Sequence, residues 1–263
     1  MTDTTPLFSV PARGVGLIEF NRPTGANRIE VSDLRVLHDL ISAWESDQQA
    51  HVLIFAARGR HFCSGFDLRA LLAEARSGEG GAADGSGGFE TLANRIEGTR
   101  LITIAAIGGP VMGGGTDLAL ACDFRLGTPR AYMQMPAAQF GLPLYSGALQ
   151  RYVSRLGLNW AKYLILSASR ANADEMVQMG FLGRLVEADD LNDECLRLAT
   201  ELASMPGKPM SAMKQGLNAA AVGNGNSDCI RKLLGGAFDG NIISSRIARA
   251  RTNRSNQRRG YHD

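Results

Sequence analysis

The sequence predicts an α/β fold built around a sheet with parallel strands. Short apolar runs of strand length alternate with segments of helical spacing, which is the pattern of βα units. The runs are "VGLIEF" (Val15–Phe20), "HVLIFAAR" from His51 and "LITIAAI" from Leu101. The second run is continuously apolar, as expected for a strand covered on both faces.

In chain order, the strand at Val15–Phe20 is closed by the turn signal "NRPTGAN". The next segment, "VSDLRVLHDLISAWESD", places Val31, Leu34, Leu37, Leu40, Ile41 and Trp44 on one helical stripe, with Ser32 or Asp33 near its start. The strand from His51 leads into "GRHFCSGFDLRALLAEAR", a glycine-containing turn followed by a helix. The stretch "GEGGAADGSGG" (Gly78–Gly88) is low in complexity and reads as a mobile linker. A helix to about Arg100 and the strand from Leu101 follow. The triplet Gly113–Gly115 precedes a helix start, and a further strand is expected near Phe124–Gly127. Beyond Pro206 the pattern is helical, and the chain finishes with "RIARARTNRSNQRRGYHD", rich in arginine.

Composition excludes several classes. A chain of 263 residues with 44% hydrophobic and 21% charged residues can bury a core without metals or disulfides. A net charge of +2 is too small to mark nucleic acid as the main partner. Cys63, Cys122, Cys195 and Cys229 form no CxxC pair, and the four histidines are scattered, so no metal-ligand spacing is present. Free thiols point to a reducing compartment. The first ten residues lack the basic and apolar regions of a signal peptide, and the apolar runs are too short to span a membrane. A cytoplasmic setting, with no membrane partner, is expected.

Two places share one design, in which a strand runs into a glycine turn and then a helix: "GRHFCSGFDL" and "GGPVMGGGTDLALACD". The first N–H groups of a helix have no intrahelical partner and carry partial positive charge. Glycine lets a ligand approach such backbone closely. Two turns of this kind can present two donors to one developing oxyanion, or they can simply be tight turns.

The wider sequence resembles the crotonase (enoyl-CoA hydratase/isomerase) superfamily. "NRPTGAN" is similar to its NRP…N turn, "GRHFCSGFDL" to its GxAFCAGxDL loop, and "IAAIGGPVMGGGTDLALACDFRLG" to IAAINGxxxGGGxELALACDxRIA. "SRANADEMVQMGFLGRLV" resembles a later segment of the family. The matches run from about Val15 to Val186. The resemblance implies a crotonase-type ββα spiral core over residues 1–200 and a C-terminal helical, trimerising region over 201–263 that carries the arginine-rich tail. It also implies a homotrimer or dimer of trimers, and an acyl-CoA thioester substrate with no cofactor, coenzyme A being part of the substrate.

The same resemblance assigns roles. The thioester oxygen would sit between the N–H groups of Phe66 and Gly114, which stabilise an enolate. Asp117 would be the general acid/base, against a plainer reading as a carboxylate complementing the helix dipole. Coenzyme A would lie along backbone near Asn27–Ile29 and around Ser64, Phe66, Asp67, Leu68 and Arg69, with Arg22, Arg28 and Arg69 as phosphate partners. Hydratases of the family carry a second carboxylate where this chain has Ala137; Gln139, nearby, is no base. Tyr145 has two readings, a hydrogen-bond donor in the acyl pocket or a space filler. His61 is expected to turn outward, while Phe62, Cys63 and Cys122 are expected to be buried. The activity implied is that of an enoyl-CoA hydratase/isomerase family enzyme. The alternatives are an isomerase or decarboxylase using one carboxylate, or a non-catalytic acyl-CoA binding protein.

Overall fold

A computed structural model describes residues 5–70 and 85–248 of the chain. The chain divides into two compact units, Met1–Met205 and Pro206–Asp263.

Among the described residues the first unit has nine strands: β1 (Leu7–Ala12), β2 (Val15–Phe20), β3 (Val52–Ala57), β4 (Ile102–Ile107), β5 (Val111–Met112), β6 (Phe124–Gly127), β7 (Tyr132–Gln134), β8 (Arg170–Asn172) and β9 (Arg184–Leu185). Its helices are α1 (Val31–Ser46), α2 (Gly85–Gly98), α3 (Gly114–Ala121), α4 (Ser146–Leu156), α5 (Leu158–Ser167), α6 (Ala173–Gln178) and α7 (Leu191–Ala203). The second unit contains α8 (Gly207–Ala221), α9 (Asp228–Gly236) and a helical segment over 240–248.

The main sheet has the order β1-β2-β3-β4-β6-β9, and every pair after β1–β2 is parallel. β3 and β4 are its centre. All six residues of β4 are buried, as are the first five of β3, because α1 and α2 pack on one side and α7 on the other. A parallel connection needs a crossover, and the helical stripe of α1 supplies the first one: Leu37, Ile41 and Trp44 face the sheet. Glu30 caps α1, and Asp33 closes a capping box by accepting the Glu30 N–H.

The antiparallel β1 and the small sheet β5-β7-β8 go beyond the expected elements. Gly85–Gly88, read as linker, are the first turn of α2; packing downstream overrides the glycine penalty, since Phe89, Leu92, Ala93 and Ile96 are buried. The rest of that low-complexity stretch, the helix expected after Arg69 beyond residue 70, and the arginine-rich tail beyond residue 248 lie outside the described residues. No helix among the described residues is long and apolar enough to cross a membrane.

Candidate active site

The two glycine turns lie side by side because their backbones are laddered together. Phe62 donates its N–H to Pro110 (2.9 Å), and Met112 donates to Cys63 (2.8 Å), with Cys63 and Val111 forming a parallel bridge. The first turn is held from its other edge by the "NRPTGAN" segment. Ser64 donates to Ala26, Ile29 to Gly65 (2.8 Å) and Asp67 to Ile29 (3.0 Å). Asn27, buried and with φ of 52°, ties the segment down by donating to the carbonyls of Arg58 and His61.

This pairing aims the N–H of Phe66. In a parallel bridge the bonds to the partner are made by the flanking residues, here Gly65 and Asp67, so the groups of the central residue point the opposite way. Gly114 is the first residue of α3, and its N–H has no intrahelical partner. No acceptor for either N–H is found among the described residues. Phe66 and Gly114 line one cavity, together with Ser64, Leu68, Asp117, Ala137 and Tyr145.

Each glycine of the triplet also has a packing reason. Gly113 has φ of 52° and ψ of −133°, which a side chain disfavours. A Cβ on Gly114 would lie 2.7 Å from the Phe89 ring, and one on Gly115 would lie 2.6 Å from the Cys63 carbonyl oxygen. Close approach of the two turns therefore demands glycine at 115, and the Phe89 ring of α2 disfavours a side chain at 114, even before a ligand is considered. Gly65, with φ of 92°, meets the Gly114 nitrogen in the same way.

Asp117 fits neither reading fully. It is completely buried, one turn into α3, and both oxygens are engaged. Arg151 Nε donates to Oδ1 and Nη2 to Oδ2, each at 2.7 Å, and the Tyr145 hydroxyl donates to Oδ2 at 2.6 Å. Three of roughly four lone-pair directions on the carboxylate are thus filled. Arg151 Nη1 donates on to Asn94 (2.8 Å) and Glu97 (2.9 Å), and Glu97 pairs with Arg155. Burial pulls the Arg151 pKa down, but hydrogen bonding and charge from Asp117, with Glu97, overcome it and leave the pKa raised. Burial pushes the Tyr145 phenol up, and the charge and hydrogen bond of Asp117 push it further, so Tyr145 is a neutral donor. Arg151 belongs to none of the glycine motifs that mark the site in the sequence. One signal pointed to it: it lies on the buried stripe of α4 with Ala148, Tyr152 and Leu156.

Tyr145 thus does more than fill space. Ala137, buried at the start of a 3-10 turn (Ala137–Phe140), lines the cavity without a polar group, and Gln139 is exposed and away from it. The rest of the cavity is apolar, including Phe89, Met135, Phe140, Leu142 and Leu144.

The expected coenzyme A contacts divide. Leu68 and Arg69 are exposed, and Ser64, Phe66 and Asp67 are half-buried. Arg22 is corrected: it is buried and forked onto Asp33, so it holds the fold and is not available to a phosphate. The Ile29 backbone is tied to the first turn, its N–H donating to Gly65 and its carbonyl accepting from Asp67. Arg28 remains half-exposed, paired with Glu30 at 2.7 Å. His61 is half-buried, while Phe62, Cys63 and Cys122 are buried as expected. No cluster of metal-ligating side chains occurs among the described residues.

Comparison with known proteins agrees on one family. The family described as "Enoyl-CoA hydratase/isomerase" matches residues 11–229. The chain is 32% identical over 200 residues to carnitinyl-CoA dehydratase of Proteus mirabilis, covering 75% of this chain and 74% of that protein. It is 27% identical over 209 residues to short-chain-enoyl-CoA hydratase of Clostridium acetobutylicum, covering 78% and 77%. The crystal structure of an enoyl-CoA hydratase from Bacillus anthracis superposes with a TM-score of 0.75 at 24% identity, covering 89% of each chain, which identifies a shared crotonase fold.

Proposed function

The chain belongs to the enoyl-CoA hydratase/isomerase family, and on that premise we propose that it binds an acyl-CoA thioester and stabilises the thioester enolate between the N–H groups of Phe66 and Gly114. The observation that carries this reading is that Phe66 and Gly114, whose N–H groups have no acceptor among the described residues, line the cavity that Asp117 and Tyr145 also line. Preorganised donors of this kind are worth roughly 3–4 kcal/mol each where charge develops on oxygen. Proton transfer falls to Asp117 and Tyr145, the hydrogen-bonded acid/base pair in the cavity wall.

Water addition by two carboxylates needs one group to activate water and another to protonate the α-carbon. Ala137 can do neither. The favoured chemistry therefore uses a single proton relay, as in moving a double bond or protonating an enolate left by decarboxylation. A homotrimer or dimer of trimers belongs to the same proposal; it is supported by apolar side chains exposed on the second unit, with Leu217 71% and Phe238 76% accessible.

A second reading, binding without turnover, is favoured by the three hydrogen bonds that Arg151 and Tyr145 already make to Asp117. Incubation with a panel of acyl-CoA thioesters in D2O separates the two. Deuterium at the α-carbon is the expected result. Binding by calorimetry with no deuterium would select the second reading, and no binding of any thioester would overturn both.

A further inference from the structure

We infer that Thr116 and Tyr152 form a hydrogen-bond relay that orients and polarises the peptide carrying the Gly114 N–H, making them positioning residues for the oxyanion site. The inference rests on the reading of Gly114 as an oxyanion donor. The N–H of Gly114 and the C=O of Gly113 are the two ends of one peptide unit. That carbonyl oxygen accepts two hydrogen bonds from a single residue: the Thr116 N–H at 3.0 Å and the Thr116 hydroxyl at 2.7 Å. The Thr116 oxygen in turn lies 2.5 Å from the Tyr152 hydroxyl.

Proton counting fixes the direction of the chain. Thr116 has one hydroxyl proton, and a carbonyl oxygen can only accept. A contact of 2.7 Å between Thr116 Oγ1 and Gly113 O therefore uses that proton. Tyr152 must then be the donor to Thr116. The alternative leaves two acceptors at hydrogen-bond distance with nothing between them. Tyr152 is fully buried, and burial pushes its phenol pKa up, so its proton stays in place.

The direction of the relay matters for chemistry. Each donor to the Gly113 oxygen draws electron density along the amide, which makes the N–H at the far end a stronger donor; chains of hydrogen bonds reinforce one another in this way. The relay also resists rotation of the peptide. Gly113 has no side chain to hold its dihedrals, and its own N–H is anchored separately, to the Gln134 carbonyl at 2.9 Å. The Thr116 hydroxyl adds a side-chain anchor to the backbone bonds that the Gly113 carbonyl accepts as the N-cap of α3. Neither side chain lines the cavity, so neither touches a bound thioester.

The test is isotope-edited infrared spectroscopy of butyryl-CoA carrying 13C at the thioester carbonyl, bound to the full chain. Binding to wild type should move the carbonyl stretch to lower frequency. Tyr152→Phe and Thr116→Val should each retain only part of that displacement and lower α-proton exchange in D2O by about 3- to 10-fold, the range expected for one ordinary hydrogen bond. The butyryl-CoA affinity should stay within about twofold, because uniform binding is untouched. Thr116→Ser, which keeps the hydroxyl, should restore both readouts. Should Tyr152→Phe fail to fold, the Thr116→Val and Thr116→Ser pair decides the matter alone. A wild type that shows no carbonyl displacement, or does not bind butyryl-CoA, overturns the oxyanion reading itself. A displacement in wild type that both variants reproduce overturns the relay and leaves that reading standing.

Discussion

Arg22–Asp33 and Arg151–Asp117 are built from the same two side chains, and both are forked and buried, the first through Nη1 and Nη2 and the second through Nε and Nη2, but their third partners differ. Around Arg22 and Asp33 the additional partners belong to the turn and the helix cap: Arg22 donates to the Arg28 carbonyl and pairs with the Glu30 carboxylate at 3.3 Å, and Asp33 accepts the Glu30 N–H. The pair staples the "NRPTGAN" turn to the start of α1. Around Asp117 the additional partner is the Tyr145 hydroxyl in the wall of a cavity, and around Arg151 it is Asn94 and Glu97 on α2. A buried ion pair is weak evidence of purpose by itself. What it holds in place, backbone or a proton-bearing side chain, distinguishes scaffold from site.

The sharpest way to break this contrast is to remove one charge from each pair while keeping its shape. Asp117→Asn should lower α-proton exchange in D2O by about 10²- to 10⁴-fold, the usual contribution of a positioned acid/base. Asp33→Asn should leave exchange per folded molecule within about threefold. Exchange measured by NMR on both proteins checks this, and equal losses would erase the distinction. In stability the two pairs should behave alike. Arg22→Met and Arg151→Met each strand a buried carboxylate, and each should cost about 3–5 kcal/mol in urea unfolding. A loss under about 1 kcal/mol at Arg151 alone would mean that Tyr145 suffices to hold Asp117. A smaller loss than that of Asp117→Asn should come from Tyr145→Phe, which removes one hydrogen bond to a charged group. A fall in turnover of about tenfold with little change in substrate affinity is expected. An unchanged rate would make Tyr145 wall and not relay.

Much of the fold could be read from the chain because its elements are long and periodic. β2, β3, β4, β6 and α1 all lie where apolar spacing placed them. β1 could not be found that way: its middle four residues are exposed, so it shows no alternation, and it is defined by pairing with β2. β5, β7 and β8 are two or three residues long and have no period to detect. The site was half legible. Glycine spacing exposed the two turns, because backbone contact leaves a compositional mark. The partners of Asp117 left none, since Tyr145 and Arg151 are 28 and 34 positions away and meet it only through the packing of α4 on α3. An arginine on an amphipathic helix reads as a solvated charge. Its place on the buried stripe of α4 is the detail that separates it from one.

The four thiols are distributed so that the protein reports its own opening. Cys63, Cys122 and Cys195 are buried in the first unit, whereas Cys229 is exposed in the second. Burial pushes Cys63 and Cys195 up to about 12, far from the thiolate form that reacts with alkylating dyes. A dye added at mildly alkaline pH should therefore consume one thiol quickly, and three more only as fast as the first unit unfolds around them. The slow phase measures the rate of that opening, without any label having to be engineered into the chain.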